Sequence, residues 1–345
     1  MQSKYETLVE IDLPPTEAAR RGRQWVAQMA LINFVIFIAE SSRGIVMPTL
    51  FLYCKSLGGG LYEMGLLTSV YSIGRLISST VFGYMCDRYS FRSVYIVSAA
   101  VGLLGNIVYF VADPRALIAS RFLVGVSSGN LSVCRSNVAA MTSTTMRLKY
   151  LTLLAISVYL GYALTPGVGG FLTRVDTTLL GRSINQYTAP GLILAGLNIV
   201  MMVLMVVGYD DSISTSDAPM ADVAPASATT SPSADGFELS DRLVYAGLGV
   251  FIMLNVVARG VLSIYETINV PLFVQVTGDG NSTIVAEASS FQFTLGLLGL
   301  LAYGAIELWH HVVSEVAWLV VGFLGLAVGN LILALHSTPT YTELW

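Results

Sequence analysis

The sequence predicts an all-α, multi-pass membrane protein of about nine transmembrane helices, a six-helix bundle followed by an incomplete bundle of three. Three observations carry this. Of 345 residues, 54% are hydrophobic and only 12% charged, and the mean hydropathy of +0.69 lies outside the range of soluble globular domains. Nine apolar runs are each long enough to cross a bilayer; a hydrocarbon core of about 30 Å takes roughly 20 helical residues. A single long polar stretch, residues 209–240, divides the first six runs from the last three.

Residues 1–24 are polar and read as a cytosolic tail, and the apolar run after them is too long for the core of a cleavable signal peptide, so the first span is expected to be a signal anchor. The runs are Trp25–Tyr53, Tyr62–Tyr84, Ser93–Ala112, Ala116–Val138, Tyr150–Leu172 and Pro190–Gly208, making a 25–208 bundle, then Leu243–Val276, Ala286–Ile306 and Ala317–Leu335 within a partial 241–345 bundle. Between them, residues 209–240 are rich in Ser, Ala, Thr, Asp and Pro and contain Pro219, Pro225 and Pro232, a composition unable to bury a core and expected to form a disordered cytosolic linker. A short repeat relates the first and seventh runs: Ile45-Val-Met-Pro48-Thr-Leu-Phe aligns with Ile268-Asn-Val-Pro271-Leu-Phe-Val and sets Arg43 opposite Glu266.

With a cytosolic N-terminus, nine Lys and Arg fall on the cytosolic side (Lys4, Arg20, Arg21, Arg23, Arg88, Arg92, Arg147, Lys149, Arg242) and four opposite (Lys55, Arg115, Arg174, Arg182), the bias expected of cytoplasmic loops. The sequon at Asn281 then lies on the lumenal side as a glycosylation site, whereas a second at Asn130 sits inside the fourth run. Cys54, Cys86 and Cys134 are scattered without metal-ligand spacing, so neither disulfide framework nor metal site is expected. His310 and His311, beside Trp309, read as interfacial anchors, and Tyr5-Glu-Thr-Leu8 has the form of a tyrosine-based sorting signal. No nucleophile–base arrangement or phosphate loop emerges, so an enzyme, a cofactor or a nucleic-acid partner is not expected; membrane lipids are, and the oligomeric state is open.

Three motifs give the chain a family likeness. The loop Gly83-Tyr-Met-Cys-Asp87-Arg88-Tyr-Ser-Phe-Arg92 puts charge between two closely spaced runs. Arg121-Phe-Leu-Val-Gly125-Val-Ser-Ser-Gly129 places an arginine and two glycines at helical spacing, the glycines forming a small face for close packing. Gly161-Tyr-Ala-Leu-Thr-Pro166-Gly-Val-Gly169-Gly170 combines a smooth face with a kink. In order and spacing these resemble signatures of the major facilitator superfamily over roughly residues 25–335, although Ser90 and Phe91 replace the usual Gly and Arg of the loop. Gly129-Asn130-Leu-Ser-Val-Cys-Arg135-Ser136 and Tyr265-Glu266-Thr-Ile-Asn-Val-Pro271-Leu272 are similar to the lysosomal subgroup of major facilitator superfamily domain-containing protein eight, the ceroid-lipofuscinosis type, and more distantly to vacuolar SPX-domain phosphate carriers. The resemblance implies the major facilitator fold, an endolysosomal or vacuolar membrane, and an inorganic or small organic anion as cargo. It further implies that Asp87 acts as a conformational lock against an eleventh helix, which has no counterpart among the nine runs, and that Arg121 has a structural or proton-relay role.

Independent of the resemblance, ionisable residues within apolar runs mark functional positions, because charge at bilayer depth costs roughly 2.5–3.5 kcal/mol on insertion scales. Here they are Glu40 and Arg43, Arg75, Arg121 and Arg135, and Arg259 and Glu266. Glu40 and Arg43, three apart, share one helix face, as nearly do Arg259 and Glu266, seven apart. These pairs either close within their own helices, or Arg43 and Glu266 bridge the two halves. Arg135, Arg75, Arg43 and Arg259 are the candidates for anion binding, and Glu40 and Glu266, with Arg121, for coupling or gating. The expected function is alternating-access transport of a small anion; the alternatives are an anion channel-like relative, or a truncated, non-transporting receptor or assembly subunit.

Overall fold

A computed structural model describes residues 15–172, 175–179, 182–212, 241–278, 283–309 and 312–337. The Tyr5 signal, residues 213–240 of the linker, Asn281 and the His310–His311 pair lie outside them, whereas residues 209–212, expected in the linker, are described and pack against the bundle. The order is α1 (Pro15–Ser56), α2 (Leu61–Cys86), α3 (Phe91–Tyr109), α4 (Pro114–Ser128), α5 (Asn130–Met141), α6 (Thr144–Leu164), α7 (Pro166–Leu172), β1 (Thr177–Leu179), β2 (Arg182–Ile184) and α8 (Ala189–Gly208), then α9 (Asp241–Thr277), α10 (Ile284–Trp309) and α11 (Glu315–Ser337). Among the described residues, eight spans are long and apolar enough to cross a membrane. The expected second span is the difference: α2 is 26 residues long, but Thr68, Ser69, Ser72, Ser78, Ser79 and Thr80, with Glu63 and Arg75, dilute its apolar character. The fourth and fifth spans are each interrupted, at Gly129 and at Thr165–Pro166, where proline has no N–H to continue the ladder. β1 and β2 pair as a small antiparallel sheet, Thr178 opposite Ser183, the only strands among the described residues.

Local sequence sets the helix ends. Gly58 adopts φ +86° as the chain leaves α1, a conformation that L side chains rarely take, and the Gly59 N–H bonds back to the Cys54 carbonyl. Glu63 reaches back to accept from the Gly60 N–H at 2.7 Å, opening α2. Asp113 caps α4, accepting from the N–H groups of Arg115 and Ala116, with Pro114 in the first turn.

By its contacts the chain divides into two compact units, Met1–Thr230 with Asn269–Phe293, and Ser231–Ile268 with Thr294–Trp345. In the first unit α2 packs on α4, α3 on α4 and α8, and α1 on α6 and α8. Glycines make these approaches possible. A Cβ on Gly125 would overlap the Tyr71 carbonyl oxygen, and one on Gly129 the Ser78 hydroxyl, while one on Gly74 would lie 2.6 Å from the Phe122 oxygen. The contact of α1 with α6 is equally close: a Cβ on Gly161 would lie 2.7 Å from the Phe37 oxygen. Gly169 approaches Ser289 of α10, with Gly170 beside it. In lipid, where helix association gains little from the hydrophobic effect, such backbone proximity supplies the dispersion contacts that hold helices together. In the second unit, α11 exposes Val316, Leu319, Val320, Leu324, Val328 and Leu331, an apolar surface of the kind lipid covers.

The α2–α3 loop is tied to the end of the sixth span. The Arg92 guanidinium donates to the Val206 carbonyl of α8, and its backbone N–H donates to Asp211 at 3.2 Å. Asp210 accepts from the Ser212 N–H, which holds its carboxyl below the usual carboxylate range; the stability this adds is present above the unfolded value and fades as pH falls through the lowered one. Arg88 stacks over Tyr84, 4.7 Å from the ring centroid. Asp87 is exposed, and Gly83 contacts nothing that a Cβ would disturb.

Replacing Gly125 with Val is expected to separate α2 from α4 and lower stability by at least about 1–3 kcal/mol, the range for overpacking. Thermal unfolding of the purified variant checks this; an unchanged midpoint contradicts the packing assignment.

Candidate binding site in the N-terminal bundle

The first unit has two apolar cores with a polar layer between them. One core gathers Ile45, Leu50, Met64, Leu67, Tyr109, Leu117 and Leu194; the other gathers Ile32, Ile36, Val94, Tyr95, Val133, Val138 and Met201. The spans up to Gly208 pass from one core to the other, and the residues carried between them include Glu40 to Arg43 on α1, Tyr71 to Ser78 on α2, Gly102 to Asn106 on α3, Ser120 to Asn130 across α4 and α5, and Asn198 on α8. The polar layer therefore sits near the middle of the spans.

Glu40, only 2% exposed, anchors the layer. Its Oε1 accepts from Arg75 Nη2 at 2.6 Å, and its Oε2 lies 3.9 Å from Arg43 Nη1. The cross-helix contact with Arg75 is thus much tighter than the one predicted by spacing along α1. Arg43 also stacks on two rings, Tyr162 at 5.1 Å and Tyr71 at 5.9 Å from their centroids. Arg121 approaches the same Tyr71 ring at 4.8 Å. One aromatic face system thus serves two guanidinium groups, an arrangement worth more in a desolvated site than at a surface.

Arg121 differs from its neighbours. It is 2% exposed, its Nε makes no hydrogen bond, and among the described residues no carboxylate lies within ion-pair distance of it. The hydroxyls of Tyr71, Tyr109 and Ser120 are also buried without hydrogen-bond partners, the Thr49 side chain lying close to that of Tyr109. Arg121 Nε–H can only donate, and the tyrosine hydroxyls have donors to spare. Such a set is complementary to an acceptor-rich, negatively charged group.

The remaining candidates fall elsewhere. Arg135 is exposed on α5, 14 residues beyond Arg121 and so roughly 20 Å along the span at 1.5 Å per residue. Arg259 is exposed on α9, and Glu266 is buried on the same helix, both in the second unit. Tyr71 and Tyr162 escape sequence reasoning because aromatic residues are common in apolar runs. The one available signal is that Tyr71 precedes Arg75 by four positions, on the same helix face. Among the described residues, no group of His, Cys, Asp and Glu is placed to hold a metal ion.

A bundle of long apolar helices with a charged, aromatic-lined layer at mid-depth defines a multi-pass integral membrane protein. The family comparison gives that class its name: residues 32–345 match the model of the Major Facilitator Superfamily, and the chain belongs to that family, whose members are transporters. Among curated relatives, major facilitator superfamily domain-containing protein 8 of Xenopus laevis is 24% identical over 207 residues, 56% of this chain and 40% of that protein. An SPX domain-containing membrane protein of Oryza sativa subsp. indica is 28% identical over 171 residues, 48% of this chain and 24% of that one. The quinolone resistance protein NorA of Staphylococcus aureus is 24% identical over 151 residues, 43% of this chain and 39% of NorA. The match thus spans less than half the length of each of these relatives. Of solved structures, a bacterial homologue of the human lysosomal transporter Spinster aligns with a TM-score of 0.60 at 12% identity, covering 86% of this chain and 65% of that one. The human organic anion transporter MFSD10 aligns at 0.52 and 18% identity, covering 83% and 70%. At these identities the structural likeness speaks to the fold alone.

Glu40→Gln is expected to leave Arg75 without its ionic partner and to cost on the order of 3 kcal/mol, most of it recovered in Glu40→Gln/Arg75→Gln, since removing both ends of a buried pair is often near neutral. Denaturant unfolding of the two variants checks this. Equal loss in single and double variants contradicts the pairing.

Proposed function

We propose that this protein is an alternating-access carrier of a small anion, inorganic or organic, in an endolysosomal or vacuolar membrane. The observation that carries the proposal is Arg121, a buried guanidinium with no carboxylate partner among the described residues, beside buried tyrosine hydroxyls that make no hydrogen bond. An unpaired buried charge is costly, and a bound anion removes the cost while a bound cation adds to it. Arg75 and Arg43, sharing Glu40, stand next to it and retain side-chain exposures of 23% and 21%, so they can meet an arriving solute. A guanidinium offers forked donors suited to phosphate or carboxylate and stays charged at every physiological pH.

In this reading the anion competes with Glu40 for Arg75, so binding and the internal ion pair are alternatives. That exchange gives the site two states, which is what a rocking bundle with a mid-depth site needs. Arg135 and Arg259, expected from the sequence to bind the anion itself, are assigned instead to its approach path, and Asp87 to the lock that the family loop implies. The membrane assignment is supported by the partial similarity to major facilitator superfamily domain-containing protein 8.

In proteoliposomes carrying the full-length protein, uptake of phosphate, chloride and small carboxylates is to be measured with and without a pH gradient. Arg121→Gln is expected to lower uptake of the accepted anion at least tenfold, with Arg115→Ala, at the exposed start of α4, unchanged. Undiminished uptake by folded Arg121→Gln removes the site.

A further inference from the structure

A second set of buried polar atoms lies in the same layer and has a different character. Where the fourth span breaks between Ser128 and Asn130, a small cavity opens between α1, α3, α4, α5 and α8, walled by Ser42, Asn106, Ser127, Asn130 and Asn198 and by the Gly102 backbone. Asn130 is fully buried, and neither its Nδ2 nor its Oδ1 has a hydrogen-bond partner. Asn106 Nδ2 and Ser42 Oγ, also buried, lack partners too. Other polar groups of the wall have partners: Asn198 Nδ2 donates to the Leu194 carbonyl at 2.8 Å, Ser128 Oγ donates to the Gly125 carbonyl at 3.0 Å, and the Ser127 carbonyl accepts from Ser98 Oγ at 2.9 Å.

We infer that this cavity is a binding site for one water molecule, which joins the broken fourth span to the first and third. The chemistry of the unpaired atoms selects the ligand. Two amide Nδ2 groups can only donate, one Oδ1 can only accept, and the serine hydroxyl can do either. A metal cation answers oxygens and leaves both NH2 groups opposed to its charge; an anion answers NH2 groups and repels Oδ1. Water donates twice and accepts twice, so it serves both kinds. Size agrees: the room open to the centre of a water molecule measures about 10 Å3, enough for one water and short of any solute. Gly102 keeps this room clear, since a Cβ there would lie 2.5 Å from Ser127 Oγ and 2.8 Å from Asn198 Oδ1. Position agrees as well. The cavity adjoins Gly129, where the fourth span is interrupted, so a water there would tie side chains of α1, α3 and α5 together at that point.

Two measurements on the full-length protein test the site. A structure at a resolution that shows ordered solvent is expected to place one peak within about 3.2 Å of both Asn130 and Asn106. A peak ringed only by oxygens at about 2.0–2.6 Å, the spacing of a bound metal cation, overturns the assignment, as does an empty cavity. A double-mutant cycle gives an independent reading. If Asn106 and Asn130 share a water, Asn106→Leu and Asn130→Leu each lower the unfolding midpoint, and the double variant loses clearly less than the two losses combined. Additive losses overturn the shared water. If the leucine variants do not fold, Asn106→Ala and Asn130→Ala complete the same cycle without overpacking.

Discussion

Charge buried at the middle of membrane spans must be compensated, and the first unit is organised around that requirement. Glu40 meets it for Arg75 at 2.6 Å and contributes to Arg43 at 3.9 Å. Tyr71 and Tyr162 supply aromatic faces to the arginines, which softens the remaining cost without cancelling it. Arg121 has aromatic contact but, among the described residues, no acid. The two apolar cores above and below confine this imbalance to one layer, and the functional reading follows from that confinement.

The layer exists because backbones come close. Gly125 and Gly129 let α4 and α5 lie against α2, and Gly161 lets α6 lie against α1, so side chains from distant parts of the sequence converge at one depth. The same proximity explains the two local chemistries. Where the converging groups are a guanidinium and hydroxyls, the vacant hydrogen-bonding capacity is a donor set suited to an anion; where they are amides and a hydroxyl, it is mixed and suited to water.

Much of this architecture was legible in the sequence. The apolar runs located the helices, Pro166 marked the interruption of the fifth span, and the rarity of charge in lipid singled out Glu40, Arg43, Arg75 and Arg121. Partner choice was not legible. Spacing of three points Glu40 towards Arg43, yet the short contact goes to Arg75, 35 residues away, because helix packing brings the two together and no local rule encodes it. Asn106, Asn130 and Asn198 stand alone in separate spans, and nothing in any one span announces that three amides meet. The break at Gly129 was hidden too, since glycine at small-residue spacing reads equally as a packing face, and β1 and β2 are each too short to show strand periodicity.

The central claim is that the polar layer holds an uncompensated positive charge that selects anions. Its most direct test is thermal unfolding of the purified full-length protein against a panel of small anions and cations at constant ionic strength, phosphate, chloride and acetate beside choline and ammonium. The account predicts a saturable rise in the unfolding midpoint with at least one anion and none with the cations, because a ligand that binds only the folded state stabilises it by mass action. Saturable stabilisation by a cation, with no anion effective, would contradict it.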